Sequence, residues 1–161
     1  MPDNVLRILP ADLDDVRVLM LLESHVRVAR AQTAPGSAHA LDLSGLKAPG
    51  ISVWVACVSG DVVGALKRLS GVEGEVKSMF TAPSARKQGV ARVMLAHIIA
   101  TARGESLARL SLETGSWPYF EPARALYAAF GFSECGPFGD YREDPNSVFM
   151  TLDLTAPGVR T

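Results

Sequence analysis

The residues Arg86-Lys87-Gln88-Gly89-Val90-Ala91 set two cations, an amide and a glycine directly ahead of an apolar run that reads as a helix. A helix N-terminus leaves backbone N–H groups unpaired and carries the positive end of the helix dipole, so it favours an anion. Gly89 permits a tight turn with close backbone approach, and Ala91 is small enough not to obstruct it. The chemistry this suggests is capture of a phosphate-bearing ligand. No Gly-Lys-Ser/Thr follows the glycine, so this is not a Walker A loop, and one glycine does not make a dinucleotide fingerprint. By itself the motif leaves two readings open: a pyrophosphate cradle and a solvated basic turn.

Elsewhere, chemistry-bearing patterns are sparse. The 161 residues are 48% hydrophobic and carry a net charge of −1, so no global basic field speaks for nucleic acid and any positive patch is local. The two cysteines, Cys57 and Cys135, form neither a disulfide framework nor metal-ligand spacing. No metal is expected, and a reducing cytoplasmic setting is. No signal-peptide pattern opens the chain and no apolar run approaches a membrane span, so no membrane association is expected. His39, in "PGSAHALD", is a candidate to bind substrate or relay a proton, and equally to cap or pack a helix. His97 reads as a satisfied core histidine and His25 as a helix-end residue. "GDYREDP" reads as a solvated loop, in which Arg142 could clamp a substrate carboxylate. Trp54, Trp117 and Tyr119 read as packing residues.

The elements that must position these groups follow from periodicity. Val5 to Leu9 alternates as a short strand that stops at Pro10, and Asp12 is placed to cap the helix after it. That helix carries acids early, arginines late, and apolar residues at Val16, Leu19, Met20, Leu22 and Val26. Pro35-Gly36 ends it, and "LDLSGLK" reads as a short helical turn. "ISVWVACV" and "DVVGALKRL" are strands joined by the hairpin signal Ser59-Gly60-Asp61, and "GEVKSMFTA" is a third strand ended by Pro83. From Gly89 to Arg103 only a thin stripe (Arg92, Ala96, Ala100, Arg103) interrupts the apolar surface, as in a helix buried against a sheet. "LARLSLET" is a strand, "EPARALYAAF" a helix with Pro122 in its first turn, and "FSECGPF" and "NSVFMTLDL" close as strands. The order β-α-α-β-β-β-α-β-α-β-β predicts one α/β (α+β) domain over residues 1–161.

Within that order, "EVKSMFTAPSARKQGVARVML" resembles the acetyl-CoA-binding segment of the GNAT superfamily of acyl-CoA-dependent N-acetyltransferases. There a strand leads into Arg/Gln-x-x-Gly-x-Gly/Ala and a long helix; Arg86, Gly89 and Ala91 match. "ARALYAAFGF" resembles the family's second signature, Ala-x-x-Leu-Tyr-x-x-x-Gly-Phe. "PGSAHALD", "SLETGS" and "CGPFGDYREDPNSVFM" are similar to a bacterial YsnE-like branch. The resemblance implies a GNAT-like mixed, mostly antiparallel sheet of six to seven strands flanked by about four helices. It also implies acetyl-CoA as co-substrate, and leaves a homodimer open.

Residue by residue, the resemblance implies that the backbone of Met79, Phe80 and Thr81 pairs with the pantetheine arm as an added strand would. The amides of Arg86, Lys87, Gln88, Gly89, Val90 and Ala91 would bind the pyrophosphate, with Arg86, Lys87 and Arg92 adding charge. The strands carrying Thr81 and Thr114 would splay apart to admit the cofactor. Tyr127 stands where many members keep a phenol near the thioester sulfur, to donate a proton or hydrogen bond to the departing thiolate. Full transfer from a tyrosine to a thiolate is uphill by about 2 kcal/mol at their ordinary pKa values. The other reading of Tyr127 is a core tyrosine. Glu75, eleven residues before Arg86, matches the glutamate of histone-acetylating members and is the candidate general base; otherwise it is an exposed glutamate beside Lys77. Freeing a lysine-type amine at pH 7 costs roughly 4.6 kcal/mol, an α-amine only about 1, so a base matters more for the first. Glu113 is the reserve base and a candidate acceptor contact. Phe120 departs from the family's asparagine, whose contact Ser116 or a backbone group would replace.

The implied activity is transfer of acetyl from acetyl-CoA to a primary amine by direct attack, with a small metabolite or amino acid as acceptor. Two alternatives stand beside it: acetylation of a protein lysine or N-terminus, and a non-catalytic acyl-CoA-binding sensor.

Overall fold

The computed structural model describes residues 7–36, 43–56, 62–82 and 89–155. In chain order its elements are β1 (Ile8–Pro10), α1 (Val16–Ala31), α2 (Leu43–Leu46), β2 (Ile51–Ala56), β3 (Val62–Arg68), β4 (Glu73–Thr81), α3 (Val90–Gly104), β5 (Arg109–Gly115), α4 (Glu121–Ala129), β6 (Ser133–Cys135) and β7 (Ser147–Asp153). A 3-10 turn over Pro118–Phe120 leads into α4. The seven strands make one sheet in the order β1-β2-β3-β4-β5-β7-β6. Every neighbouring pair is antiparallel except β4 and β5, which run parallel and are joined through α3. This is the expected order and sheet type. Among the described residues no helix is long and apolar enough to cross a membrane.

Two local expectations at the start of the chain are corrected. Asp15, not Asp12, caps α1, accepting from the Arg17 amide at 2.8 Å, and the first turn holds no acid. Asp12 instead accepts from the Asp14 amide at 2.9 Å and shapes the preceding turn. Pro10 ends β1 rather than following it; β1 is an edge strand, where a missing N–H is tolerated.

The pleat sorts side chains into two cores. Trp54, Ala56, Val62 and Leu66 pack with Met94, Leu95, Ile98 and Ile99 of α3 on one face. Val53, Val55, Val63 and Ala65 pack with Val18, Leu21 and Leu22 of α1 and Leu46 of α2 on the other. Each strand is thus apolar on both sides, which is why these runs read as almost continuous hydrophobics.

Two irregularities in β4 create the site. Val63 pairs with Phe80 but Ala65 with Lys77, so Ser78 and Met79 together oppose Gly64, a β-bulge. Ser78 takes a left-handed φ of 56° there. A Cβ on Gly64 would stand 2.8 Å from Met94 Cγ and 3.0 Å from both Ile98 Cδ1 and Met79 Sδ, so glycine lets α3 close onto the bulge. Gly64→Val should therefore destabilise the fold by about 1–3 kcal/mol through overpacking. A thermal melt should show a loss of several degrees, and an unchanged midpoint would mean that α3 shifts freely. The second irregularity is that β4 and β5 pair only from Glu73↔Arg109 to Val76↔Leu112. Beyond that point β4 continues along β3 to Thr81 and β5 along β7 to Gly115, so the two central strands diverge as a wedge.

Candidate functional site

The wedge opens on a cavity of about 510 Å³. Its floor and sides are β4 from Glu75 to Thr81, Glu113 to Gly115 of β5, and Leu126 and Tyr127 of α4. The first turn of α3 and its cap (Gly89, Val90, Ala91, Arg92) close one end, while His25, Val28 and Ala29 of α1 supply the opposite wall. Of the residues singled out from sequence, Met79, Phe80, Thr81, Gly89, Val90, Ala91, Arg92, Glu75, Glu113 and Tyr127 all line this one cavity. Arg86, Lys87, Gln88 and His39 lie outside the described residues. Arg142 is exposed and lines a different cavity from the other candidates.

At the α3 end, Gly89 adopts a left-handed φ of 76° and caps the helix without any side-chain hydrogen bond. Among the described residues no side chain caps the first amides of α3, and the helix dipole adds to their pull on an anion. The Arg92 guanidinium lies 5.4 Å from the Phe130 ring centroid. Across the cavity, Arg124 donates to the Gly115 carbonyl at 2.6 Å and to that of Trp117 at 3.2 Å, tying α4 to the end of β5. Sequence reasoning missed this contact; a lone arginine on a helix carries no signal for it.

The polar centre differs most from expectation. Glu75 is only 2% exposed, not a solvated strand residue. Lys77 Nζ lies 3.1 Å from Glu75 Oε2, the Tyr141 hydroxyl donates to the same oxygen at 2.5 Å, and Lys77 Nζ donates to the Tyr141 hydroxyl at 2.7 Å. The three groups form a closed triangle. The Tyr141 ring is braced by Phe138 at 5.0 Å and Phe149 at 5.5 Å. Part of the "GDYREDP" segment is thus packed against the site rather than solvated. Burial and the Glu75 carboxylate push the Tyr141 phenol far up, so it remains a donor.

Glu113 stands apart from the triangle. Burial raises its carboxyl to about 7, with Glu75 and Asp144 adding to the rise and Ser147 and Lys77 opposing it. Tyr127 is 6% exposed, edge-on to Phe132, and its phenol is pushed up first by burial and then by the nearby Glu113. It therefore stays protonated throughout the working pH range. His25 is not a helix-end residue: it sits within α1, 5.4 Å from the Phe80 ring, and burial with the Lys77 charge lowers it to about 4. It is a neutral imidazole on the cavity wall. His97 packs edge-on to Trp54 at 4.9 Å, but its buried Nε2 has no hydrogen-bond partner among the described residues, so it is a core histidine without the expected satisfaction.

Around the mouth, Ser116 donates its hydroxyl to the Pro145 carbonyl at 2.8 Å, and Trp117 Nε1 donates to Asn146 Oδ1 at 3.0 Å. The Ser116 hydroxyl proton is therefore committed to the loop before β7. Phe120 itself lies on Gly115, where an added Cβ would come within 2.1 Å of the ring, and it lines the cavity.

Comparison with known proteins bears on what this cavity does. Residues 49–134 match the family model described as the acetyltransferase (GNAT) domain. Over 145 residues the chain is 48% identical to the Bacillus subtilis (strain 168) "uncharacterized N-acetyltransferase YsnE", spanning 89% of this chain and 96% of that protein. Over 140 residues it is 41% identical to an Azospirillum brasilense protein named "IAA acetyltransferase", spanning 85% and 90%. Among solved structures, an Elizabethkingia anophelis GNAT family acetyltransferase with acetyl-CoA bound superposes with a TM-score of 0.67 at 16% identity, covering 94% of this chain and 99% of that one.

Proposed function

This chain belongs to the GNAT acetyltransferases, a family of acyltransferase enzymes, and on that premise we propose that its wedge moves acetyl from acetyl-CoA to a small primary amine by direct attack. The observation that carries the proposal is the meeting of a carboxyl, Glu113, and a phenol, Tyr127, in one buried cavity where the β4–β5 ladder ends. The residues present fit the co-substrate. The wedge has room for an extended arm along Met79 to Thr81, and the first turn of α3, capped by the glycine Gly89, offers amides to a pyrophosphate. Arg86, Lys87 and Gln88, next in sequence, supply charge and donors to the same group. Bound acetyl-CoA supplies an activated thioester carbonyl.

Glu113 takes the proton that the amine must lose as its nitrogen bonds to the carbonyl carbon and the carbon–sulfur bond breaks. A carboxyl near 7 is half ionised at neutral pH, which suits a base that must both accept and release a proton. Glu75 is less suited, because its Oε2 already accepts from Lys77 and Tyr141. We assign Glu75 to holding the triangle and Glu113 to the proton. The bulge at Ser78 and Met79 leaves backbone donors out of the ladder, where they can face charge developing on the carbonyl oxygen. Tyr127 gives its hydrogen bond to the departing thiolate. Cys135, on β6, does not line the cavity, and Cys57 lies outside the described residues.

Calorimetric titration of acetyl-CoA at low and moderate salt tests the reading first. Micromolar binding that weakens with salt is expected, followed by thiol release that depends on added amine. Failure to bind would remove the proposal. Arg86→Ala should weaken acetyl-CoA binding about tenfold, the loss of one charge-assisted contact. Unchanged affinity would take Arg86 out of the phosphate cradle.

A further inference from the structure

A second cavity, of about 390 Å³, adjoins the first at Glu75. Glu75 lines both cavities, Lys77 lines only the inner one and Tyr141 only the outer one. The Glu75–Lys77–Tyr141 triangle is therefore the wall between them. Its two charged members have side chains only 3% and 8% exposed, and each of the three groups is hydrogen-bonded to the other two. The two spaces differ in character. The inner one faces Val28 and Ala29, whereas the outer one is rimmed by charges of both signs, among them Lys67, Arg142 and Glu143.

We propose that this wall sets the length of the acceptor, and that Tyr141 is the residue that fixes the limit. The proposal rests on acetyl transfer to an amine in the inner cavity and names the class of amine that fits: compact, with an uncharged body. A longer chain would have to push the Tyr141 ring off the buried ion pair, which is unfavourable because Glu75 and Lys77 would each lose a hydrogen-bond partner. Lys77 offers an acceptor carboxylate no free cation beside the wall, since it is already paired with Glu75. Tyr141 is the replaceable member of the wall. It comes from the loop before β7, its ring is held by Phe138 and Phe149, and its removal opens the outer side of the pair.

The test is the ratio of kcat/KM for n-octylamine to that for n-propylamine, read by thiol release and accompanied by calorimetric binding of both amines to the protein–CoA complex. The wild type should favour propylamine at least tenfold. Tyr141→Phe should keep that preference, because the ring remains. Tyr141→Ala should raise the ratio at least tenfold by joining the cavities. Tyr141→Leu, which keeps apolar contact with the two phenylalanines but ends short of Glu75, should move it the same way and serves if the alanine variant does not fold. A ratio unchanged in both variants, or no length preference in the wild type, overturns the wall. A ratio that shifts in binding without thiol release keeps the wall and removes acetyl transfer. Thiol release with a ratio indifferent to residue 141 does the reverse. If neither amine binds, both readings fall.

Discussion

Glu113→Gln should lower kcat/KM for an alkyl amine by about two orders of magnitude at pH 7, the usual scale of a positioned general base, while acetyl-CoA affinity stays within about twofold. The wild type should show an acidic limb centred near 7, where the Glu113 carboxyl titrates. Glutamine has no such group, so the variant should lose the limb. Its rate should instead climb about tenfold per pH unit toward the amine's own pKa near 10, as the free base is supplied by solution. The gap between the two proteins should therefore narrow with pH.

Stability moves the other way, and this separates chemistry from misfolding. The fold raises the Glu113 pKa from 4.5 to about 7, so it favours the protonated form. That stability is fully present below 4.5 and is lost as pH rises through 7, amounting to about 3 kcal/mol at most. Glutamine cannot ionise and escapes the loss. Thermal melts should find the variant at least as stable as the wild type at pH 8, with no advantage at pH 4. An acidic limb retained near 7 would pass the base role to another group. Inactivity with a lower melting point at pH 8 would indicate structural damage instead.

Legibility in the sequence tracked the range of the interaction. The near-continuous apolar runs in Ile51 to Ala56 and Val62 to Arg68, and the apolar girth of α3, are local patterns, and they carry the element order. Gly89 was readable because a glycine before a helix has one backbone use, and its observed φ of 76° is that use. Other features carry a weaker sequence signal. His25 follows Val18 and Leu21 at helical spacing, so α1 was bound to turn it inward with them. Gly64 inside an apolar strand is itself a hint of a bulge or close approach. The cap of α1 was ambiguous in principle, since Asp12, Asp14 and Asp15 are all competent caps and only backbone geometry chooses. The Tyr141–Glu75 bond had no local signal at all. It joins residues 66 apart, and the loop that carries Tyr141 is as polar as any solvated turn. The aromatic pair Phe138 and Phe149, which hold that ring in place, show their purpose only once β7 lies beside β5.

Tyr127→Phe should reduce kcat about ten- to a hundredfold with little change in acetyl-CoA affinity. The size follows from the kind of contact. With its phenol raised by burial and by Glu113, Tyr127 is a weaker acid than free tyrosine, so full transfer to a thiolate is uphill by more than the ordinary 2 kcal/mol. What remains is a hydrogen bond to a charged sulfur, and such bonds contribute about 1.5–3 kcal/mol. The ring and its edge contact with Phe132 survive the change, so the melting temperature should hardly move. Two results would sink this account. One is an unaltered kcat. The other is a basic limb between pH 8 and 10 that vanishes in the variant, since that would show a phenol titrating where this one should not. A further consequence links the two residues. Glu113 removes the proton and Tyr127 steadies the thiolate as one acyl bond is exchanged for another, so both act on the same barrier. The double variant should lose less than the product of the two single losses, because groups that act as a unit are not additive. Strict additivity would show that the two residues contribute independently to that barrier rather than as a unit.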